Sequence, residues 1–374
     1  MGNVFKKQAQ ALLEIADVRV GGGRPWDIEV HDERLYRRAI LGGTLGFGEA
    51  YMDGWFDAPE LDRMFERLMG GQIRQRLLVD KLCKSVQAVH NMLVNRQAPA
   101  RADAVAKTHY DVGNDLFERM LDPLMIYSCG YWQGGAETLA AAQIAKLDLV
   151  ARKLELEPGM TVLDIGCGWG GAACHMAERY GVRVVGVTIS KEQAALGRER
   201  ASGLDVDIRL QDYRAVTDRF DAIYSIGMFE HVGFRNYKTY FETARACLNP
   251  KGRFLLHTIG DHRAGRHLDP WVDRYIFPKG HLPSGRELLT AAEPYFVVED
   301  WHSFGPDYDK TVMAWIDNFE AAYPDLDHDR YDDKFRRMWL FYLASAAAGF
   351  RLRINQLWQV LLGQGDRTDI PVWR

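Results

Sequence analysis

A glycine-rich turn, Asp164-Ile165-Gly166-Cys167-Gly168-Trp169-Gly170, closes one hydrophobic segment and opens another of helical character. Glycines there let the backbone approach a ligand closely and take positive φ. The spacing is G-x-G-x-G, without the third glycine of the dinucleotide fingerprint. The next strand ends in Val187-Thr188-Ile189-Ser190, with no acidic residue to hold an NAD ribose. Both details weigh against a dehydrogenase. Asp212 and Tyr213 follow the third strand, where an aspartate can accept from an adenine amine and a tyrosine can stack. Glu230 follows an apolar strand, and burying a carboxylate requires a partner. His257 lies inside an apolar strand, where a lone histidine is more often a satisfied core residue, and Cys129 read singly is an inert buried thiol.

The elements that must position these groups alternate. Strands are expected at Thr161–Ile165, Val182–Val187, Val206–Leu210, Phe220–Ile226 and Arg253–Ile259, with helices between most of them. Such alternation implies a mostly parallel sheet covered on both faces, with ligands at the carboxyl ends of its strands. Upstream the pattern is helical. A helix is expected over Phe5–Ala16, a short strand over Asp27–His31, a helix capped by Asp32 and carrying Leu35, Ala39 and Ile40, and another with Leu61, Met64, Phe65 and Leu68 on one face. Gly42–Asp57 is rich in glycine and aromatics. Ile73–Leu93 reads as an amphipathic helix in a segment where basic residues outnumber acidic ones. The Pro- and Ala-containing stretch 95–104 reads as a linker. The expected organisation is therefore a smaller, mainly helical domain over 1–94 and an α/β domain over 105–374.

The 374 residues carry a formal net charge of −4, which excludes the strong basic excess of a general nucleic-acid binder. The 5 cysteines form no C-x-x-C pair, so neither a zinc site nor a disulfide framework is expected and no metal is called for. Met1–Ala16 lacks the apolar run of a signal peptide. The longest apolar run, Met338–Phe350, is too short to span a bilayer. A cytoplasmic protein with at most peripheral membrane contact is the expectation.

The glycine turn resembles motif I of class I S-adenosylmethionine methyltransferases, a Rossmann-like α/β fold. Further segments narrow the resemblance: His109-Tyr110-Asp111-Val112-Gly113-Asn114-Asp115, Tyr127-Ser128-Cys129-Gly130-Tyr131-Trp132, Met228-Phe229-Glu230-His231-Val232-Gly233, Leu255-Leu256-His257-Thr258-Ile259-Gly260, and Phe304-Gly305-Pro306-Asp307-Tyr308-Asp309. Together they resemble the bacterial cyclopropane fatty acid synthases and, in their C-terminal part, the mycolic acid cyclopropane synthases. The resemblance implies that Tyr127, Ser128, Gly166, Cys167, Gly168, Trp169, Gly170, Thr188, Ile189, Ser190, Gln193, Asp212 and Tyr213 bind S-adenosylmethionine, the methyl donor. It implies that Cys129, Glu230, His257, Tyr308 and the backbone of Ile259 hold a bicarbonate ion that serves as general base. Glu230 would either hydrogen-bond that ion or orient His257. The implied substrate is an unsaturated phospholipid in the bilayer, and the implied assembly is a homodimer.

Such chemistry makes two physical demands. Attack of an alkene on a sulfonium methyl leaves a carbocation, so water must be excluded. Aromatic faces must also tolerate the positive charge; Tyr131, Trp132 and Phe229 lie near the motifs. Docking on the inner face of the membrane is expected from Ile73–Leu93, from Tyr51–Phe56, or from Met338–Phe350 flanked by Arg336, Arg337, Arg351 and Arg353. The last run reads more readily as a core helix with solvated ends.

Overall fold

The computed structural model describes residues 2–70, 113–264, 268–278, 280–365, 368 and 371. The expected helix 73–93, the expected linker 95–104 and the motif residues 109–112 lie outside them. The chain gathers into two compact units. Among the described residues one holds 2–70, 268–278 and 308–355, and the other 113–264, 280–307 and 356 onward.

The second unit is built on a seven-stranded sheet. Its strands are β1 (Thr161–Ile165), β2 (Arg183–Thr188), β3 (Val206–Leu210), β4 (Phe220–Ile226), β5 (Leu248–Asp261), β6 (Val297–Ser303) and β7 (Asn355–Gly363), in the spatial order β3-β2-β1-β4-β5-β7-β6. The pairs β1–β2, β1–β4, β2–β3 and β4–β5 are parallel, and β6 runs antiparallel to β7. The strand order reverses at β1, which opens a crevice beyond the carboxyl ends of β1 and β4. Central strands buried on both faces read as continuous apolar runs, which is why β1 and β4 coincide with the expected segments. Strands β6 and β7 were not anticipated. The β7 run Asn355–Gly363 is buried along most of its length, and periodicity does not separate such a run from a helix. Leu163, Ile165, Val185, Ile223, Phe254 and Leu256 form one core with Phe229, Tyr240 and Phe241. Phe229 stacks on Tyr237 at 4.1 Å, so it is core rather than a ligand-facing ring.

The first unit is mainly helical, with Glu29–Val30 and Phe56–Asp57 paired as a short antiparallel ribbon. Arg34–Met52, which enters the glycine- and aromatic-rich stretch, is helical on either side of a kink at Gly43, where φ is 55° and ψ −141°. Helix Asp333–Arg351 is capped by Asp332, whose side chain accepts the Phe335 N–H at 2.7 Å. Phe341 on this helix packs against Phe65 at 4.8 Å, Trp271 at 4.6 Å and Tyr51 at 5.7 Å. Trp339, Leu343, Ala347 and Phe350 are buried, and so are Tyr51, Met52 and Phe56. Arg337 donates to the Phe56 carbonyl and to Asp57, both at 2.7 Å, while Arg351 pairs with Asp62, Glu66 and Asp309. Within the expected docking segments, Tyr51, Met52, Phe56 and much of 338–350 are buried, whereas Asp53 is exposed and Trp55 half-buried; Arg337 and Arg351 are tied internally. Among the described residues no helix is long and apolar enough to cross a membrane.

Candidate active site

The turn after β1 is pinned to the end of β2, because the N–H groups of Gly166 and Cys167 both donate to the Val187 carbonyl, at 3.0 and 3.1 Å. Gly166 has φ 89°, and a Cβ there would meet the Met228 side chain at 2.7 Å. Gly171 opens the following helix, where a Cβ would stand 1.9 Å from the Leu124 carbonyl oxygen. Only hydrogen fits at either position. A cavity with about 1360 Å³ of empty space, part of it open to solvent, lies where the turns after β1 to β4 converge. Tyr127, Ser128, Gly166, Cys167, Gly168, Trp169, Thr188, Ile189, Ser190, Gln193, Asp212 and Tyr213 all line it. Gly170 does not. With φ 78° it shapes the turn, and it faces Gly197 and Ile208 instead.

The rim polar groups are satisfied by their own local bonds. Ser190 caps helix Lys191–Arg200 by accepting the Gln193 N–H at 3.3 Å, and the Thr188 hydroxyl donates to Gln193 Oε1 at 2.9 Å. Asp212 accepts from Arg214 Nε and from the Arg214 N–H at 2.8 and 2.9 Å. Burial would raise this carboxyl, but the Arg214 bonds outweigh it and hold Asp212 below the ordinary carboxylate range. Burial pushes the Tyr213 hydroxyl up to about 12. Tyr127 packs against Phe117, which packs against Trp169, and the Trp169 Nε1–H donates to Asn114 at 2.9 Å.

The floor comes from helix Leu139–Leu154, which Thr138 caps. Its Gln143 amide donates to the Ser128 carbonyl at 2.8 Å, and its Lys146 ammonium donates to Ser128 Oγ at 2.8 Å. Lys146 and Asp164 both line the cavity and both are fully buried. Burial pushes the Asp164 carboxyl up to about 7 against the pull of Tyr224 and Lys146. Sequence reasoning gave neither residue a role, although Asp164 stands in the quoted motif. The signal for Lys146 was present: Ala142, Lys146, Leu149 and Lys153 share a helical face, so two lysines fall on an otherwise apolar stripe. Arg214, Met228 and His231 line the cavity as well and were also missed.

Beyond the cavity lie further candidate groups, on the turn after β4, on β5 and in the segment before helix Leu139–Leu154. Glu230 sits in the turn after β4, between the cavity-lining Met228 and His231. Its Oε1 accepts the Ile259 N–H at 2.7 Å, and its Oε2 is buried with no hydrogen-bond partner. Burial pushes this carboxyl up to about 7, although the Ile259 amide pulls the other way. His257 lies on β5, 1% exposed. Its Nδ1 is 3.4 Å from the Gln359 Nε2, and its Nε2 has no partner. Burial, reinforced by Lys146 and Lys153, holds His257 well below its ordinary range, so the ring is neutral. A hydrogen bond from Gln359 Nε2 to Nδ1 requires the ring proton on Nε2. Phe304 packs against the ring at 5.7 Å and in turn meets Tyr131 and His302. Cys129 is fully buried, with Sγ 3.1 Å from the Gly130 carbonyl oxygen.

In this structure the Ile259 amide donates to Glu230, and Gln359 is the group beside His257 Nδ1. Tyr308 lies in the helical unit, where its ring stacks on Phe350 at 4.3 Å.

Comparison with known proteins matches residues 97–360 to the family model described as mycolic acid cyclopropane synthetase. The cyclopropane-fatty-acyl-phospholipid synthase of Escherichia coli K12 is 49% identical over 366 residues, spanning 98% of this chain and 95% of that protein. The tuberculostearic acid methyltransferase of Mycobacterium tuberculosis is 34% identical over 346 residues, 85% of this chain and 78% of its own. Among solved structures, a mycolic acid cyclopropane synthase complexed with SAH and CTAB is 34% identical, covers 70% of this chain and 97% of its own, and superposes with a TM-score of 0.65.

Proposed function

The chain belongs to the mycolic acid cyclopropane synthetase family and has the fold of an S-adenosylmethionine-dependent methyltransferase; from that premise we propose that it builds a cyclopropane across the cis double bond of an unsaturated phospholipid acyl chain. S-adenosylmethionine occupies the cavity at the carboxyl ends of β1, β2 and β4. The glycine turn after β1 lets the backbone reach it, Asp212 and Tyr213 meet the adenine, and Tyr127 with Ser128 faces the sulfonium end. The alkene π pair attacks the sulfonium methyl. The C–S bond breaks as the new C–C bond forms, releasing S-adenosylhomocysteine and leaving a cation on the acyl chain. A C–H bond of the transferred methyl then loses its proton, and that electron pair closes the ring.

Two buried atoms without a partner carry this reading: Glu230 Oε2, in the turn between the cavity-lining Met228 and His231, and His257 Nε2 on β5. A buried polar atom without a partner costs about 1–3 kcal/mol, so such atoms call for an explanation. They fit a small oxyanion, which would accept from His257 Nε2–H and share a hydrogen bond with Glu230. Bicarbonate held there would supply the base that takes the proton. The Ile259 amide fixes Glu230 so that Oε2 alone remains to meet the ion. The neutral His257 can donate without carrying a charge into an apolar site. Cys129 is proposed to join the set, and Phe304 and Tyr131 to keep water from the neighbourhood of His257.

A second reading has a specific support. The relative named as a tuberculostearic acid methyltransferase is 34% identical across most of this chain, and a sister activity would leave a branch in place of a ring. Purified protein, S-adenosylmethionine and vesicles of unsaturated phospholipid decide between them when product chains are read by NMR. Ring methylene signals support the proposal, a branched chain supports the alternative, and no product from either overturns both. Peripheral docking and homodimer formation belong to the same proposal. Co-sedimentation with anionic vesicles should fall as salt rises, since charge is screened within about 8–10 Å, and light scattering reads the assembly.

A further inference from the structure

Helix Leu139–Leu154 buries two lysines on one face, and their surroundings differ. Lys153 is 2.9 Å from Asp300, an ordinary buried ion pair. Lys146 is equally buried but has no carboxylate within ion-pair distance among the described residues; its ammonium donates to the Ser128 hydroxyl alone. Asp122, the strongest acidic influence on Lys146, spends its oxygens on the N–H groups of Leu124 and Ile126 at 3.0 and 2.9 Å. An ammonium taken out of water without a directly paired carboxylate is costly to bury, and Asp122 and Asp164 act on Lys146 only at longer range. Such an ammonium at a cavity wall is available to a charge that arrives with the ligand.

Geometry narrows the ligand. Lys146, Ser128 and Asp164 line the same cavity as the glycine turn, and Asp164 Oδ2 is buried there without a hydrogen-bond partner. A positive and a negative side chain on one wall match a zwitterion. Among the parts of S-adenosylmethionine only the amino-acid end is zwitterionic. Resting on the cofactor reading above, we propose that Lys146, acting with the Ser128 hydroxyl, is the positioning residue that receives the carboxylate of S-adenosylmethionine. Its ammonium supplies the charge, and Ser128 relays it to the ligand.

This makes Lys146 a specificity determinant for carboxylate-bearing ligands, which a purely structural lysine is not. Calorimetric titration of the full chain with S-adenosylhomocysteine and with its decarboxylated analogue tests it. The unaltered protein should prefer the carboxylated ligand by at least about tenfold, which corresponds to 1.4 kcal/mol. Lys146→Met should remove most of that preference by weakening the carboxylated ligand while leaving the analogue within about twofold. Equal weakening of both ligands overturns the assignment and leaves the cofactor reading intact. Failure of the unaltered protein to bind either ligand overturns both.

Should Lys146→Met fail to fold, the unaltered protein carries the test through pH. Asp122, Asp164, Cys129 and Ser128 face the ammonium, and His257 lies within its electrostatic reach. Loss of the ammonium proton should erase the preference as pH rises from about 7 to about 9.5. A preference flat across that interval contradicts the proposal. Ser128→Ala should reduce the preference in the same direction by a smaller factor, and an unchanged preference there rules out the relay through the hydroxyl.

Discussion

The rim of the cavity and the Glu230–His257 cluster differ in how their polar groups are satisfied. At the rim, Thr188, Ser190, Gln193, Asp212 and Arg214 are bonded to one another or to a helix end before any ligand arrives. In the cluster, Glu230 Oε2 and His257 Nε2 are buried with nothing to bond. The first arrangement is a scaffold that a ligand joins at little cost. The second stores a desolvation penalty that the proposed ion would relieve. A recognition surface can be stable by itself, whereas a site for charge in an apolar interior holds its groups short of satisfaction.

Breaking the cluster should have the largest effect. Glu230→Gln is expected to lower turnover by about 10²–10⁴-fold, the range for removal of acid–base machinery. S-adenosylhomocysteine affinity should stay within about twofold, because the rim is untouched. Titration and steady-state rates on one preparation check this, and parallel losses would merge the two regions into one. Breaking the scaffold should act the other way. Gly171→Ala places a methyl against the Leu124 carbonyl, so the backbone must shift. The expected cost is about 1–3 kcal/mol of stability, with cofactor affinity and turnover falling together; denaturant unfolding and calorimetry read the two.

The comparison also has a pH signature. Glu230 and Asp164 both sit near 7 because burial disfavours their charged forms. A carboxyl whose folded pKa lies above its unfolded value contributes stability that is fully present below about 4 and lost as pH rises through about 7. Relative to Glu230→Gln, which mimics the protonated form, the unaltered protein should therefore lose thermal stability between pH 5 and about 8. Melting curves of the two proteins at matched pH check the sign, and parallel curves would mean that Glu230 is not held neutral. The smallest effect is expected at Gln359→Leu. Removing the contact to His257 Nδ1 frees the ring tautomer, so turnover should fall by about three- to tenfold with KM unchanged.

Much of this was legible in the residues themselves. A turn that needs positive φ announces itself through Gly166, Gly168 and Gly170, and apolar runs between such turns locate β1, β3 and β4 to the residue. What local pattern cannot carry is the partner of a side chain. Nothing near Ile259 in the sequence says that its amide goes to Glu230, and nothing near His257 points to Gln359, 102 positions away. Met338–Phe350 invited a membrane reading because hydropathy is blind to what covers a helix. Phe65, Trp271 and Tyr51 supply that cover from distant parts of the chain. Gly170 belongs to the same motif as its neighbours yet shapes the turn without reaching the cavity.

The most direct test of the account follows the transferred carbon. With the sulfonium methyl fully deuterated and vesicles of unsaturated phospholipid as acceptor, the account predicts a ring carbon that keeps two deuterons, the third having passed to solvent. An acyl chain bearing an intact trideuteromethyl branch, or a deuterated exocyclic methylene, would contradict it.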